Sequence, residues 1–219
     1  SSPRAPRSRA CGQDGLALSE GEIHSPYEKY LQPTAYRRPP NPAMRPTRDL
    51  IISELKRSKE PYLHKYQKDS GSETERWVYD VPIWVAVEAL SFGTLSKAIS
   101  FRNDHNQVYA KTCSILGVKK QYLARQLRSF TFVRNKCAHS ARLWNSFVLD
   151  QPAVSNATKR RAEKVLGQNY GENSLLAVIV ALDNFLFLTN SWVGFLDEYM
   201  KLVERNPDFH QGIANPHHS

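Results

Sequence analysis

The sequence predicts an all-α protein, and three features support this class. Apolar residues recur at spacings of three and four residues over several stretches, as they do on one face of an α-helix. Residues that commonly begin or end helices, such as Asp, Pro and Gly, stand at the edges of these stretches. The strict alternation of a half-buried strand is nearly absent. We therefore expect a bundle of packed helices.

Three regions are expected along the 219 residues. Residues 1–46 are rich in proline and arginine and show little periodicity, which predicts an extended or partly disordered basic arm. Residues 47–206 carry the helical periodicity and are expected to form the helical domain. Residues 207–219 are expected to form a C-terminal tail.

Helix starts in the first half are marked by capping residues. Thr47 is the expected N-cap of a helix to about residue 56, and Pro61 opens a further helical turn. Asp80, followed by Val81-Pro82, marks the next start. That helix is expected to carry an apolar face formed by Ile83, Trp84, Val87 and Leu90. Shorter helices are expected at 93–100 and 104–116, the second closed by Gly117.

The strongest helical pattern lies at 119–138. Its seam residues follow one another at spacings of 4, 3, 4 and 3, and they are Leu123, Leu127, Phe130, Arg134 and Cys137. An arginine is thus inserted in an apolar seam. A basic helix capped by Asn156 is expected to run to Leu166, and a last helix, kinked or fully packed, spans about 173–204.

Positive charge is concentrated around this helix. Residues 119–164 hold eleven Lys and Arg against two acids, Asp150 and Glu163, so this segment alone carries the chain's net charge of +9. Such an excess is typical of a protein that binds a phosphate-bearing partner. The alternative is a solvated basic face without a partner.

Several classes of protein are disfavoured. Cys11, Cys113 and Cys137 have no paired spacing, which argues against a disulfide framework and against a zinc site, and favours a reducing cytoplasm. No apolar stretch is long enough to span a membrane, and the N-terminus lacks the apolar core of a signal peptide. We expect a cytoplasmic protein that needs no metal or cofactor and does not bind membranes.

Arg134 and His139, near the end of the 119–138 helix, suit the cleavage of RNA without a metal. The chain has two other Arg and His pairs at similar spacing, but a proline interrupts each of them; they are Arg57/His64, with Pro61 between, and Arg205/His210, with Pro207 between. On a helix, five residues correspond to about 140° of rotation, so the two side chains do not pair within one helix. A symmetric homodimer that packs the seam of Leu123, Leu127 and Phe130 against its mate would bring two such pairs together. The alternative is a structural ion pair and a histidine at a helix C-terminus.

Two longer blocks carry a family resemblance: VPIWVAVEALSFGTLSKAIS (81–100) and VRNKCAHSARLWN (133–145). Weaker matches are SKEPYLHKY (58–66) and YLQPTAYR (30–37). With these blocks, residues 80–147 resemble the Abi-like (abortive infection) proteins of the HEPN superfamily of helical ribonucleases. The resemblance implies a HEPN-like helical bundle, a homodimer and a metal-independent endoribonuclease that acts as a toxin in phage defence or in a toxin–antitoxin pair. The resemblance leads us to expect a further N-terminal helical portion at a place where this sequence has the irregular residues 1–29.

The family's motif maps onto residues of this chain. Its arginine corresponds to Arg134, the polar residue after it to Asn135, and its histidine to His139. A second histidine often follows in the family, whereas this chain has Ser140, so His139 is left as the only acid/base candidate. The implied reaction is attack of a ribose 2′-hydroxyl on the adjacent phosphorus, with His139 exchanging protons and Arg134 holding the phosphate.

Nearby residues are expected to bind the flanking RNA. Arg128, Lys136 and Arg142 would contact phosphates, and Trp144 would stack on a base. Trp144 could instead be a core or interface residue, and Arg128 a solvated one. Two other functions fit the same sequence: a non-catalytic RNA-binding module, or a helical dimerisation protein whose basic patch binds an acidic antitoxin. Beyond the RNA substrate, an RNA or protein antitoxin is therefore an expected partner.

Overall fold

The computed structural model describes residues 29–69 and 75–217, which form helices joined by irregular segments. They form ten α-helices and three short 3-10 helices. Within these ranges no strand occurs, and one isolated bridge joins Tyr36 to Arg102. The all-α prediction is confirmed.

The α-helices are numbered in chain order. The first five are α1 (Thr47–Arg57), α2 (His64–Asp69), α3 (Ile83–Ala89), α4 (Phe92–Phe101) and α5 (Gln107–Leu116). The next five are α6 (Lys120–Ala138), α7 (Asn156–Leu166), α8 (Leu175–Leu188), α9 (Phe195–Val203) and α10 (Pro207–Ala214). The 3-10 helices span Lys29–Leu31, Pro61–Leu63 and Glu75–Asp80.

The chain divides into two compact units, one ending at Thr112 and the other beginning at Cys113, whereas the sequence suggested one helical domain at 47–206. The first unit has its own core, formed by Tyr30, Leu31, Ile51, Leu55, Leu63, Val78, Val81, Ile83, Ala86 and Ala98. Helix α1 packs against α3 and α4 in this unit. The Glu54 carboxylate on α1 accepts bonds from the Ser91 amide (2.7 Å) and the Thr94 hydroxyl (2.7 Å), which ties the start of α4 to α1.

Part of the expected N-terminal arm belongs to that core. Tyr30 and Leu31 are buried, and the Tyr30 hydroxyl donates to the Val81 carbonyl oxygen over 2.9 Å. Burial raises the pKa of Tyr30, because the ionised phenolate would lose its hydration. Residues 29–46 are therefore joined to the first unit, and the rest of the predicted arm, residues 1–28, lies outside the described residues.

The second unit is built around α8, which packs against α6, α7, α9 and α10. Helix α8 is apolar on most sides, as expected of a helix surrounded by others. Its core is formed by Ala162, Leu166, Tyr170, Leu175, Leu176, Ala177, Val180, Leu196, Tyr199, Val203, Ile213 and Ala214. The segment expected to be a C-terminal tail thus contributes the packed helix α10, because Ile213 and Ala214 are apolar and reach this core.

Two helix starts and one apolar face differ from expectation. Thr47 is the first residue of α1 rather than its N-cap, and Pro46 takes the cap position. Ser155, not Asn156, caps α7, and its hydroxyl accepts a bond from the Thr158 amide. Trp84, expected on an apolar face, is 47% exposed. Cap positions are decided by backbone geometry within a residue or two, which composition does not resolve.

The long last helix is instead two helices, α8 and α9. The break follows a helix end in which Asn190 adopts φ 51°, and the Ser191 amide returns to the Leu186 carbonyl oxygen over 2.9 Å. This is the Schellman arrangement, in which a left-handed residue lets the chain satisfy the last carbonyl groups. Asparagine tolerates the left-handed region better than most residues, so Asn190 ends α8 where apolar periodicity alone would continue it.

Candidate functional site

Helix α6 positions the predicted Arg134 and His139, and its buried face explains its orientation. Leu123, Gln126, Leu127 and Ser129 are buried along it. Farther on, Phe130 meets Phe185 of α8 edge to face, with ring centroids 5.6 Å apart. These contacts hold α6 against α8 and so fix the position of the carboxyl-terminal turns of α6.

The residues predicted to form a dimer seam instead pack inside the single chain. Leu123 and Leu127 have almost no exposed surface within the single chain, and Phe130 is half-buried against α8. A periodic apolar seam is used here to pack one helix inside the protomer, which the sequence pattern does not distinguish from packing between protomers. If two copies associate, they do so through other residues.

The carboxyl end of α6 is open to solvent. Every residue from Arg134 to Arg142 is exposed except Lys136, which is half-buried. The helix ends in a Schellman arrangement: the Ala141 amide donates to the Lys136 carbonyl oxygen over 2.8 Å, and Ser140 adopts φ 49°. The chain therefore turns sharply away directly after His139, leaving the predicted catalytic residues uncovered within the described ranges.

Asn135 is bonded to Arg134 through its side chain and to His139 through its backbone. The Arg134 guanidinium donates to Asn135 Oδ1 over 3.2 Å. Asn135 and His139 are four residues apart and so lie on one face, and the His139 amide donates to the Asn135 carbonyl oxygen over 3.0 Å. The long Arg134 side chain thus turns towards the side of the helix on which His139 lies. This offsets part of the 140° separation expected from helix geometry.

Lys136 and Arg142 frame the same helix end. Lys136 Nζ donates to the Arg142 carbonyl oxygen over 3.1 Å and lies 5.4 Å from the centroid of the Phe132 ring. The Ser146 hydroxyl donates to the same carbonyl oxygen over 2.8 Å. The backbone at Arg142 is therefore fixed, while its guanidinium stays exposed. Lys136 has a structural role in addition to its charge.

Arg128 forms an ion pair, with its Nε 2.9 Å from Asp150 Oδ1. Both side chains are about half exposed, and such a surface pair contributes only about 0–1 kcal/mol. Arg125, one turn earlier, donates to the Gln151 carbonyl oxygen over 3.1 Å. These contacts attach the loop after the site to the side of α6. Asp150, which the sequence analysis treated only as a charge, thus partly neutralises the predicted RNA-binding surface.

Trp144 packs against α10 and is 44% exposed. Its Nε1 donates to the Asp208 carbonyl oxygen over 3.3 Å. A Cβ placed on Gly212 would lie 2.1 Å from Trp144 Nε1, so the indole edge rests directly on the backbone of α10. The ring combines a packing role with an accessible surface. No local sequence signal could have predicted this contact, because its partners are more than sixty residues away.

The competing Arg and His pairs have other surroundings. His210 of α10 contacts Tyr199 through Nδ1 (2.8 Å) and Gln168 through Nε2 (2.7 Å). Burial lowers the pKa of His210 and raises that of Tyr199 to about 12. His210 therefore bridges three elements of the second unit. His64, in contrast, is exposed on α2 of the first unit.

The part of the chain that the structure describes contains no group of three or more His, Cys, Asp or Glu side chains able to hold a metal ion. In the same ranges, every helix is too short or too polar to cross a lipid bilayer.

The family model described as "Abi-like protein" matches residues 18–145, more than half of the chain. The match ends directly after Trp144 and includes α1 to α6 with Arg134, Asn135 and His139. Helices α7 to α10 lie outside it. No curated protein and no solved structure matches.

Proposed function

Because this chain belongs to the Abi-like protein family, whose name refers to abortive infection, we propose that it is a metal-independent endoribonuclease. Its cellular role would be that of a phage-defence or toxin–antitoxin toxin. The observation that supports this most is the open end of α6, where Arg134, Asn135 and His139 are all exposed and lie within the matched residues.

In the proposed reaction, the ribose 2′-hydroxyl of the substrate attacks the adjacent phosphorus. A bond forms between the 2′-oxygen and phosphorus, and the bond to the 5′-oxygen of the next nucleotide breaks. The proton leaves the 2′-hydroxyl and a proton is delivered to the 5′-oxygen. The products are a 2′,3′-cyclic phosphate and a 5′-hydroxyl. The substrate supplies the nucleophile, so the protein needs to move protons and stabilise charge.

Each residue has a defined part in this proposal. His139 exchanges the proton, since a histidine side chain changes charge near neutral pH. Arg134 donates to the non-bridging oxygens as negative charge develops, a geometry suited to guanidinium. Asn135 already accepts a bond from Arg134 and so positions that guanidinium. Arg142 and Lys136 are placed to contact neighbouring phosphates.

A single protomer offers one histidine at this turn for two proton transfers. We therefore include a homodimer in the proposal, in which the second copy supplies the second His139. The contact would involve the exposed residues of 134–142 rather than the buried seam. An RNA or protein antitoxin would act by covering the same turn.

His139→Ala tests the assignment. Removing the acid/base should lower the cleavage rate by about 10²- to 10⁴-fold, since general acid–base catalysis contributes that much. The measurement is the loss of intact 5′-labelled RNA, with the new ends identified as cyclic phosphate and 5′-hydroxyl. Cleavage should persist in excess EDTA.

The matched control is His64→Ala, because His64 is also exposed and follows an arginine at similar spacing. It should cleave like the unmodified protein. Equal activity of His139→Ala and the unmodified protein would refute the assignment. RNA that is bound but recovered intact with the unmodified protein would support a non-catalytic RNA-binding module instead.

A further inference from the structure

The second unit carries an exposed apolar patch outside the residues that match the family. The patch is formed by Val165, Phe187, Leu188, Trp192 and Val193, each more than one third exposed. It lies where α8 ends and the connection to α9 begins, with Val165 contributed by α7. Single exposed apolar residues are ordinary, but several in one place mark an interaction site.

A pocket of about 190 Å³ opens within this patch. Its wall includes Val165, Phe187 and Val193, together with Arg161, Asp183 and Asp197. At roughly 30 Å³ per water, this volume corresponds to about six water molecules, the size of one planar ring system. The pocket is therefore large enough for one ring system and too small for a helix.

The polar groups of the pocket differ in availability. Asp183 is buried, and its two oxygens accept bonds from Arg161 Nη2 (2.9 Å) and the Leu196 amide (3.0 Å). Asp183 therefore fixes the wall. Asp197 is exposed at the rim, where its carboxylate can accept bonds from a ligand's N–H groups.

Aromatic and guanidinium surfaces face outwards beside the pocket. The Arg161 guanidinium carbon lies 5.7 Å from the centroid of the Phe187 ring, within cation–π range. Phe187 is 48% exposed and Trp192 51% exposed. Trp192 meets Phe195 edge to face at 5.7 Å, which fixes its ring while about half of the residue's surface stays accessible. Fixed, accessible π surfaces are what bases of single-stranded nucleic acids stack on.

Positive charge borders the patch on two sides. Helix α7 presents Lys159, Arg160, Arg161 and Lys164, with Glu163 as its one acid. Lys159 is paired with Glu172, whereas the Arg160 and Lys164 side chains are exposed. On the other side Gly117 approaches the backbone of Leu188, which brings the exposed Lys119, two residues later, to the same region. The two ends of the basic segment 119–164 thus flank one apolar patch.

We propose that this pocket receives an unstacked base of single-stranded RNA. Phe187 and Trp192 would stack on bases, Asp197 would accept from a base N–H group, and the basic side chains of α7 would hold the flanking phosphates. This site lies on elements other than the Arg134–His139 turn and outside the matched residues 18–145. It rests on the proposed function only in taking RNA as the ligand.

Two other surfaces could bind a basic and apolar patch, but the pocket favours RNA. An anionic lipid surface would place its headgroups beside the exposed Asp197 carboxylate and has no flat ring to fill the pocket. An acidic polypeptide would use the charges of α7 but has no need of a ring-sized pocket. A nucleobase uses the apolar walls, the aromatic faces and the rim carboxylate together.

The test compares two ligands on the full-length protein. Fluorescence anisotropy in EDTA would measure binding of a uridine 12-mer and of an abasic ribose-phosphate 12-mer, which keeps the phosphates and lacks the bases. The unmodified protein should bind the uridine chain more tightly. Trp192→Ala and Phe187→Ala should each weaken binding of that chain by about fivefold or more, and change binding of the abasic chain little, because stacking needs the base.

Trp192→Phe keeps an aromatic face and should retain most of the binding. Leu202→Ala is the matched surface control, because Leu202 is as exposed as Val193 but lies near the end of α9. Unchanged uridine binding by both alanine variants, with normal far-UV circular dichroism, would overturn the pocket. So would equal losses for the two chains. The proposal would also be wrong if the two alanine variants lost binding to phosphatidylcholine–phosphatidylglycerol vesicles but kept their RNA binding. That result would indicate a membrane-binding surface.

Failure of this proposal can be told apart from failure of the proposed function. If Trp192→Ala weakens base-dependent binding but the unmodified protein never cleaves RNA, the base-binding pocket is supported and the ribonuclease assignment is contradicted. If His139→Ala abolishes cleavage while Trp192→Ala and Phe187→Ala bind normally, the reverse holds.

Discussion

Ser140 directly follows the proposed acid/base residue and occupies a backbone conformation that suits glycine. Its φ is 49°, and it closes the Schellman end of α6 with its amide bonded to the Cys137 carbonyl oxygen over 3.1 Å. At the end of α7 a glycine, Gly167, takes the left-handed conformation, at φ 67°. The left-handed conformation costs an L-residue roughly 1–2 kcal/mol, so α6 ends under modest strain next to His139.

Ser140→Gly should therefore raise the free energy of unfolding by about 0.5–1 kcal/mol, because glycine adopts positive φ without a Cβ penalty. The measurement is urea-induced unfolding. Gly167→Ala is the reverse control: no atom lies within 4 Å of the added Cβ, so only backbone strain changes, and stability should fall by about 1 kcal/mol. A destabilised Ser140→Gly protein would show that the Ser140 side chain stabilises the turn.

At the level of elements, α10 and the loop after α6 are joined by close contacts at Gly212. The Asn145 amide donates to the Gly212 carbonyl oxygen over 3.1 Å, and the Trp144 indole lies directly against Gly212. The predicted base-stacking residue is thus held by a helix more than sixty residues later. Any RNA contact made by Trp144 requires that α10 be in place.

Gly212→Ala should destabilise the protein by about 1–3 kcal/mol, because the added methyl group overlaps the Trp144 ring and forces it to move. In a Trp144→Ala background the same change should be neutral or stabilising, since alanine favours a helix interior over glycine. Urea unfolding of the four proteins measures the coupling between the two sites. Additive effects would mean that Trp144 is displaced at no cost.

At the level of the whole molecule, the distribution of exposed and buried surface bears on assembly. The apolar seam of Leu123 and Leu127 is buried inside the protomer, whereas residues 134–142 and the patch around Trp192 are accessible. In the proposed homodimer, a second copy would meet this one at residues 134–142, a mostly polar helix end. Such an interface is expected to be modest in area and sensitive to the residues of the site itself.

Mixing unmodified and His139→Ala protein shows whether one active site needs residues from two protomers. With RNA in excess and the unmodified protein held constant, addition of His139→Ala protein at roughly threefold excess should reduce cleavage to about one quarter if each site needs a histidine from both copies. The reason is that only one in about four unmodified subunits then pairs with another. The readout is the initial rate of cleavage after equilibration. An unchanged rate would indicate that one protomer suffices.

The helical class, the bounds of α6 and α7 and the concentration of positive charge follow from the sequence itself. Periodicity, glycine positions and charge counts are local properties, and they suffice to place these two helices to within a residue or two. The Arg134–His139 motif, too, is a local pattern. That pattern alone leaves its catalytic role a proposal.

Other features depended on which elements came into contact. The seam of Leu123 and Leu127 packs inside the protomer, α10 joins the core of the second unit, and Tyr30 belongs to the core of the first. The pocket beside Phe187 is assembled from α7, the end of α8 and the start of α9, which no single stretch of sequence shows. An apolar face specifies that it will be buried but not against what, because hydrophobic burial is non-directional. Only the packed structure decides the partner.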